Sequence, residues 1–174
     1  MLPENIALVT PEQLGCTEEL PETQATLEGN SLQKADFLFD HFQTNCFADD
    51  TGLEIEALNG EPGVLSARYA GSEKNAEANM KLVLEKLKNE PNRKARFRTV
   101  ITLIINGKKT FFEGILNGKI IDTPAGSHGF GYDPIFVPEG FDSTLAQMEM
   151  GEKNKISHRA LAFAKLTKYL NEVA

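Results

Sequence analysis

The sequence predicts an α/β fold, in which amphipathic helices alternate with runs of β-prone residues. Apolar side chains recur at helical spacing over residues 27–42. An Asn-Gly pair separates the β-prone runs 97–105 and 110–116, and this is a strong short-range signal of a β-hairpin. Residues 45–48 predict a strand whose apolar end, Phe47-Ala48, is followed by two adjacent carboxylates, Asp49 and Asp50, as at a strand end that opens into a loop.

Length and composition favour a folded protein without accessory groups. The 174 residues suit one domain, 1–174, with a core that needs no disulfide or metal. The net charge of −7 argues against a nucleic-acid-binding protein, and the basic run 93–98 is typical of a solvated strand edge. The two cysteines suit a reducing compartment. Neither a membrane span nor a signal peptide is evident, so we expect a cytoplasmic protein.

The first predicted helix covers residues 27–42, with Thr26 as its N-cap. Glu28 lies in its first turn, and Lys34 falls off the apolar stripe. On pattern alone, both residues are typical of a solvated helix surface.

Other local signals complete the pattern. Residues 6–9 predict a short strand followed by a loop. Ser72 predicts the start of a second helix, whose apolar stripe includes Met80. Asn-Gly pairs at 106–107 and 117–118 separate three β-prone runs and predict an antiparallel three-strand meander.

The stretch from Asp49 to Gly52 is predicted to form a tight loop between two strands, the second beginning at Leu53. The carboxyl ends of strands are where α/β sheets usually carry their ligands, so Asp49 and Asp50 are candidates for chemistry. The alternative is that these are ordinary turn residues whose side chains bond nearby backbone N–H groups.

A long passage rich in glycine and proline, residues 123–138, is the second candidate region. Such loops are uncommon in compact domains and are usually functional. Its glycines would let the backbone approach a ligand, and Phe130 and Tyr132 offer faces on which a flat ring could stack. The spacing matches neither a P-loop nor a Rossmann fingerprint.

The start of the last predicted helix is the third candidate region. Ser157 is its natural N-cap, which puts His158 and Arg159 in the first turn, where the helix dipole disfavours cations. One explanation is a bound anion that accepts from the helix N–H groups and from Lys153, His158 and Arg159. The other is an exposed, solvated first turn.

The sequence contains four separated motifs in this order: residues 48–53 (Ala-Asp-Asp-Thr-Gly-Leu), 62–71 (Pro-Gly-Val-Leu-Ser-Ala-Arg-Tyr-Ala-Gly), 129–134 (Gly-Phe-Gly-Tyr-Asp-Pro) and 153–160 (Lys-Asn-Lys-Ile-Ser-His-Arg-Ala). Together they closely resemble the inosine triphosphate pyrophosphatase family, over about residue 14 to the C-terminus. The resemblance implies an elongated mixed β-sheet flanked by helices, two lobes with a central cleft, and usually a homodimer. It also implies Mg²⁺-dependent cleavage of dITP, ITP and XTP to monophosphate and pyrophosphate.

Site roles follow from the resemblance residue by residue. It makes Asp50 the general base and a metal carboxylate, with Asp49 beside it. Thr51 would touch the substrate, and Lys34 matches a lysine near the phosphates. The other matches are a nucleoside-binding loop, formed by Phe130, Gly131, Tyr132 and Asp133, and a phosphate- and base-contacting cluster, formed by Lys153, His158 and Arg159. Lys153 would also stabilise charge that develops on the phosphate oxygens.

Two departures from the family pattern leave alternatives. The family begins with a strand and a phosphate-binding turn, which residues 1–11 do not match. Either this N-terminal strand is missing, or the chain starts at an internal methionine, Met1. The helix-one metal glutamate aligns with Gly29, so the adjacent Glu28 is expected to replace it. The rival function is a truncated nucleotide-binding protein with weak or no catalysis; within the enzyme class, modified pyrimidine triphosphates are the alternative substrates.

Overall fold

The computed structural model describes residues 2–3 and 5–173. Met1 and Ala174, the limits of the predicted domain, lie outside the described residues. The helices and strands, numbered in chain order, are α1 (Leu27–Phe42), β1 (Cys46–Ile55), α2 (Ala76–Lys86), β2 (Lys94–Ile105), β3 (Lys108–Ile120), β4 (Phe136–Pro138), α3 (Met150–Ile156) and α4 (His158–Val173). The predicted α/β class, a sheet flanked by helices, is therefore confirmed. No helix in the described part of the chain combines the length and hydropathy of a membrane span.

The described strands form one sheet in the order β1-β2-β3-β4. The resemblance implied a mixed sheet, whereas all three strand pairings described here are antiparallel. Within the described residues, β1 is an edge strand, because it pairs along its length only with β2.

Helix α1 has the predicted bounds and cap. The Thr26 hydroxyl accepts a hydrogen bond from the Gly29 N–H at 3.0 Å. For α2 the predicted start was wrong: the cap is Asn75 rather than Ser72, because the Asn75 side chain accepts from the Ala78 N–H at 2.9 Å.

The predicted loop between two strands at Asp49–Gly52 was wrong, because β1 is one continuous strand. Its ten residues pair with β2 without interruption, from Cys46 opposite Ile104 to Ile55 opposite Ala95. The glycine serves close packing instead of a turn. A Cβ atom at Gly52 would lie 2.5 Å from the carbonyl oxygen of Gly63.

The first Asn-Gly pair forms the predicted hairpin turn between β2 and β3. Asn106 and Gly107 have φ angles of 49° and 78°, the left-handed conformation that tight hairpins require. The second pair lies inside β3, so the predicted three-strand meander was wrong. At Gly118 a Cβ atom would come within 2.6 Å of the Phe136 ring, which explains a glycine within a strand.

The strand predicted over residues 6–9 was also wrong. Residues 5–25 of the described chain contain one short 3₁₀ helix, Glu12–Leu14, and no strand. Ile6 packs instead on the apolar cluster formed by β2, β3 and α4, so its burial comes from side-chain packing.

The two faces of the sheet carry different helices. On one side Ala48 of β1 packs with Ala35 of α1, and this side is called the α1 face below. On the other side Phe47 meets Phe163 of α4 edge to face, which defines the α4 face. Successive strand side chains point to opposite faces, so neighbouring residues of β1 have different surroundings.

Candidate active site

Asp50 lies on the α1 face, where two side chains of α1 bond its carboxylate. Asn30 Nδ2 donates to Oδ2 at 3.1 Å, and Lys34 Nζ donates to Oδ1 at 3.3 Å. Asn30 and Lys34 are four residues apart, so the helix presents them on the same side. Burial raises the pKa of the Asp50 carboxyl above its ordinary value of 3.8, against the opposing effects of Lys34 and Asn30.

Glu22 completes this group, and the sequence analysis missed it. Its Oε1 accepts from Lys34 Nζ at 2.6 Å, so one buried ammonium bonds both Glu22 and Asp50. Arg68 Nη1 lies 3.8 Å from the other oxygen of Glu22. The sequence signal that could have indicated Glu22 is an acidic residue just before α1, in a loop whose apolar residues follow no helix or strand period. We call Glu22, Asn30, Lys34 and Asp50 the Asp50 cluster.

Asp49 lies on the α4 face and binds the first turn of α4. Arg159 donates to Asp49 Oδ2 through Nη2 at 2.7 Å and through Nε at 3.2 Å. Thr51, also on this face, lies 3.5 Å from the same oxygen and 2.7 Å from the hydroxyl of Thr99. Asp49 is therefore a carboxylate that contacts the first turn of the last helix.

The structure does not bring together Asp50, Asp49 and Glu28, the three residues expected to hold the metal. Adjacent strand residues point to opposite faces, so Asp49 and Asp50 cannot close on one ion from the same side. Glu28 is bound by Arg98, whose guanidinium holds the pKa of that carboxyl below its ordinary value. At Gly29 a Cβ atom would lie 2.7 Å from Gln24 Cβ, so the backbone leaves little room for a side chain.

His158 is buried at the start of α4, stacked on Phe97 with ring centroids 4.8 Å apart. Burial, aided by the nearby charges of Arg159 and Lys153, lowers the pKa of His158 from 6.5 to about 4. The imidazole is therefore neutral at pH 7. Its Nδ1 is buried and has no hydrogen-bond partner among the described residues.

The predicted cap of α4 is present, since Ser157 Oγ accepts from the Ala160 N–H at 3.1 Å. The cations expected to gather an anion there already have carboxylate partners. Arg159 bonds Asp49, and Lys153 of α3 forms a buried ion pair with Asp133. The first turn of α4 is therefore neutralised by the protein itself.

The loop before α3 centres on Asp133, which is buried. Its Oδ2 accepts from the Phe130 N–H at 2.8 Å and from Lys153 Nζ. The Lys153 ammonium also lies 5.0 Å from the centroid of the Phe130 ring. A Cβ atom at Gly129 would lie 2.1 Å from Asp133 Oδ2, so only glycine fits this contact.

The two aromatic residues of the loop differ. Phe130 is 72% exposed and keeps a free face for stacking, with Gly131 beside it at φ 62°. The expected stacking on Tyr132 was wrong: its ring is 5% exposed within the core, and its hydroxyl donates to the Ser66 carbonyl at 2.8 Å. Tyr132 therefore attaches the loop to the core.

The structure therefore divides the predicted residues between two sides of one strand. Asp50 and Lys34 lie on the α1 face, and Asp49, Thr51, His158 and Arg159 lie on the α4 face. Within the described chain, β1 is the edge strand that separates the two groups.

Comparison with known proteins agrees with the motifs. The chain matches the sequence model of the Ham1 family over residues 1–169. The dITP/XTP pyrophosphatase of Flavobacterium johnsoniae is 52% identical over 166 residues, which are 95% of this chain and 86% of that protein. The dITP/XTP pyrophosphatase of Porphyromonas gingivalis is 52% identical over 171 residues, covering 98% and 88%.

Solved structures give the same answer. A Staphylococcus aureus Ham1 protein superposes with a TM-score of 0.90 at 40% identity, covering 94% of this chain and 85% of that one. A HAM1 protein from Coxiella burnetii gives a TM-score of 0.92 at 35% identity, covering 97% and 87%. These matches confirm the resemblance drawn from the four motifs, and the chain belongs to the Ham1 family.

Proposed function

We propose that this protein is a Mg²⁺-dependent pyrophosphohydrolase that converts dITP, ITP and XTP to the monophosphate and pyrophosphate. Its curated relatives are dITP/XTP pyrophosphatases, which makes the chain a hydrolase acting on acid anhydrides. The observation that carries the proposal is the Asp50 cluster, in which a carboxylate of raised pKa lies beside the buried ammonium of Lys34.

Asp50 is the general base. A raised pKa makes its carboxylate a better proton acceptor, which suits the deprotonation of a water molecule near neutral pH. The water oxygen bonds to the α-phosphorus, and the bond from that phosphorus to the bridging oxygen breaks. The monophosphate and pyrophosphate then separate, and the water proton rests on Asp50. Lys34 offsets negative charge that develops on the phosphate oxygens.

The residues that would hold Mg²⁺ are Asp50 and Glu22. No group of three or more His, Cys, Asp or Glu side chains suited to a metal occurs among residues 2–3 and 5–173. Mg²⁺ needs fewer protein ligands, because one or two carboxylates together with substrate phosphates commonly suffice. Glu22 and Asp50 fit that donor set, since the same Lys34 ammonium bonds both. Bound there, Mg²⁺ would offset phosphate charge.

The nucleoside is recognised on the α4 face. Phe130 offers an exposed ring on which a purine can stack. His158 supplies a neutral imidazole whose Nδ1 lacks a partner within the described chain, and Arg159 is held beside it by Asp49. Donors that match a 6-keto oxygen would be left unpaired by adenine, which is how such a pocket discriminates.

Assembly as a homodimer belongs to the same proposal and is supported by the family resemblance. A cytoplasmic location, which the two cysteines suit, is also part of the proposal. Sedimentation analysis tests the assembly. A species of twice the 19.2 kDa chain mass supports it, and a monomer at working concentration contradicts it.

The decisive test is pyrophosphate release from dITP, measured with Mg²⁺ and after its removal by a chelator, beside a dITP binding titration. Mg²⁺-dependent release supports the proposal. Binding without release would favour a nucleotide-binding protein with little catalysis. Faster release from modified pyrimidine triphosphates than from dITP would contradict the purine assignment.

A further inference from the structure

Thr99 is a buried hydroxyl residue of β2 that has no role in the mechanism above. It is 0% exposed and lies directly opposite Thr51 in the β1–β2 register. The two hydroxyl oxygens are 2.7 Å apart, a normal hydrogen bond in which either oxygen could donate. Thr51 is the only side-chain partner of the Thr99 hydroxyl in the described chain.

The surroundings decide which hydroxyl donates. If Thr51 donated, the proton of Thr99 would be buried without an acceptor among the described residues, which is costly. If Thr99 donates, the Thr51 proton turns outward, and Thr51 is only partly buried. The second arrangement satisfies both hydroxyls, so the donor is Thr99.

The outward proton of Thr51 is weakly held in the free protein. Its nearest acceptor, Asp49 Oδ2, is 3.5 Å away and already accepts two hydrogen bonds from Arg159. A contact of that length is at the limit of hydrogen bonding. The proton is therefore available to an oxygen of a bound ligand.

We propose that Thr99 is a positioning residue that fixes the Thr51 hydroxyl as a hydrogen-bond donor to an oxygen atom of the bound nucleotide. The inference rests on the proposed function, which supplies the nucleotide. Thr99 itself does not touch the ligand. Thr99 acts by donating a hydrogen bond to the Thr51 hydroxyl oxygen. The hydroxyl hydrogen of Thr51 then points away from Thr99, toward the α4 face.

The test is a double-mutant cycle on KM and kcat for dITP, with Thr99→Val, Thr51→Val and the double variant. Valine keeps the shape of threonine and removes the hydroxyl. Thr99→Val is expected to raise KM about fivefold, the effect of one hydrogen bond, with kcat nearly unchanged. The double variant should bind no worse than Thr51→Val alone, because both changes remove the same interaction. Thr99→Ser keeps the donor and should restore the wild-type KM.

Thr102→Val is the matched control. Thr102 lies on the same strand, is also 0% exposed, and pairs its hydroxyl with Ser31 at 2.8 Å on the α1 face. It should lower the melting temperature as Thr99→Val does and leave KM for dITP unchanged.

Three results would overturn the inference while leaving the proposed function intact. They are a wild-type KM in Thr99→Val, a KM in the double variant that is raised by the product of the two single effects, and a KM in Thr99→Ser that stays as high as in Thr99→Val. Wild-type protein that neither binds nor hydrolyses dITP would overturn the proposed function, and the inference would fall with it.

Discussion

Asp49 and Asp50 are neighbours in the chain, yet their carboxylates lie on opposite faces of the sheet. Asp49 accepts two hydrogen bonds from Arg159 of α4, and Asp50 accepts from Lys34 of α1. The cause is the alternation of side chains along a strand. The function we propose therefore gives the two acids separate roles: Asp50 is the general base, and Asp49 holds Arg159 for the nucleotide.

Glu22→Gln should weaken the response to Mg²⁺. The amide keeps an acceptor for Lys34 but removes one of the two negative charges of the Asp50 cluster. We expect the Mg²⁺ concentration for half-maximal pyrophosphate release to rise about tenfold. Glu19→Gln, which changes an exposed acid paired with Lys74, is the control and should behave as wild type. An unchanged Mg²⁺ dependence in Glu22→Gln would remove Glu22 from the site.

His158→Phe should reduce the loss of stability in mild acid. The pKa of His158 is lowered from 6.5 to about 4 in the folded protein. Between these pH values the imidazole is protonated in the unfolded chain but neutral in the folded chain. The stability that depends on neutral His158 is complete above pH 6.5 and is lost as pH falls toward 4. Between pH 7 and 4, wild type should lose about 3 kcal/mol more unfolding free energy than the variant.

Chemical denaturation at several pH values measures this difference. His41→Phe, a change of an exposed histidine, is the control and should follow wild type. Parallel pH profiles for wild type and His158→Phe would show that His158 is not held neutral by burial.

Gly114→Ala should disturb the docking of α4. A Cβ atom at Gly114 would lie 1.9 Å from the carbonyl oxygen of His158 and 2.6 Å from the Ala162 nitrogen. The helix must shift, so we expect about 3 kcal/mol lower unfolding free energy and weaker dITP binding. Gly151→Ala meets nothing within 4 Å and is the control. Equal stability and equal affinity in the two variants would contradict this packing.

Arg98→Leu should destabilise the fold, because Arg98 contacts three carboxylates that come from α1, β1 and β3: Glu28, Glu54 and Glu113. Without it these acids repel one another. We expect a loss of about 2 kcal/mol in urea unfolding, between the values for surface and buried ion pairs. Arg96→Leu is the control and should lose less, because Arg96 lies on the same strand and its one ion pair within residues 2–3 and 5–173 is with Glu54. A larger loss of unfolding free energy in Arg96→Leu than in Arg98→Leu would contradict the stabilising role of Arg98 among these carboxylates.

Local sequence signals were sufficient to predict structure that depends on a single helix or turn. The apolar stripe and the Thr26 cap predicted α1 with its bounds, and Asn106-Gly107 predicted the hairpin. The same signals misled at Gly52 and Gly118, where glycine is required by close contacts with other segments. Turn propensity cannot distinguish a glycine that bends the chain from one that leaves room for a neighbour.

The candidate site was predictable to the extent that its residues belong to motifs. The motifs gave Asp50, Arg159 and Lys153, and the family match gave Lys34. The sequence could not show that Asp49 and Asp50 separate, because that depends on continuous pairing of β1 with β2. Nor could it find Glu22 or Thr99, whose partners are 12 and 48 residues away in the chain.

The separation of roles is tested most directly by steady-state pyrophosphate release from dITP by Asp50→Asn and Asp49→Asn, with thermal unfolding measured beside it. Asp50→Asn should lower kcat about a thousandfold and remain as stable as wild type near pH 7, since it removes a carboxylate whose burial disfavours its charge. Asp49→Asn should keep kcat and raise KM, because Arg159 loses its carboxylate partner. Wild-type kcat in Asp50→Asn, or the same fall in kcat for both variants, would contradict the account.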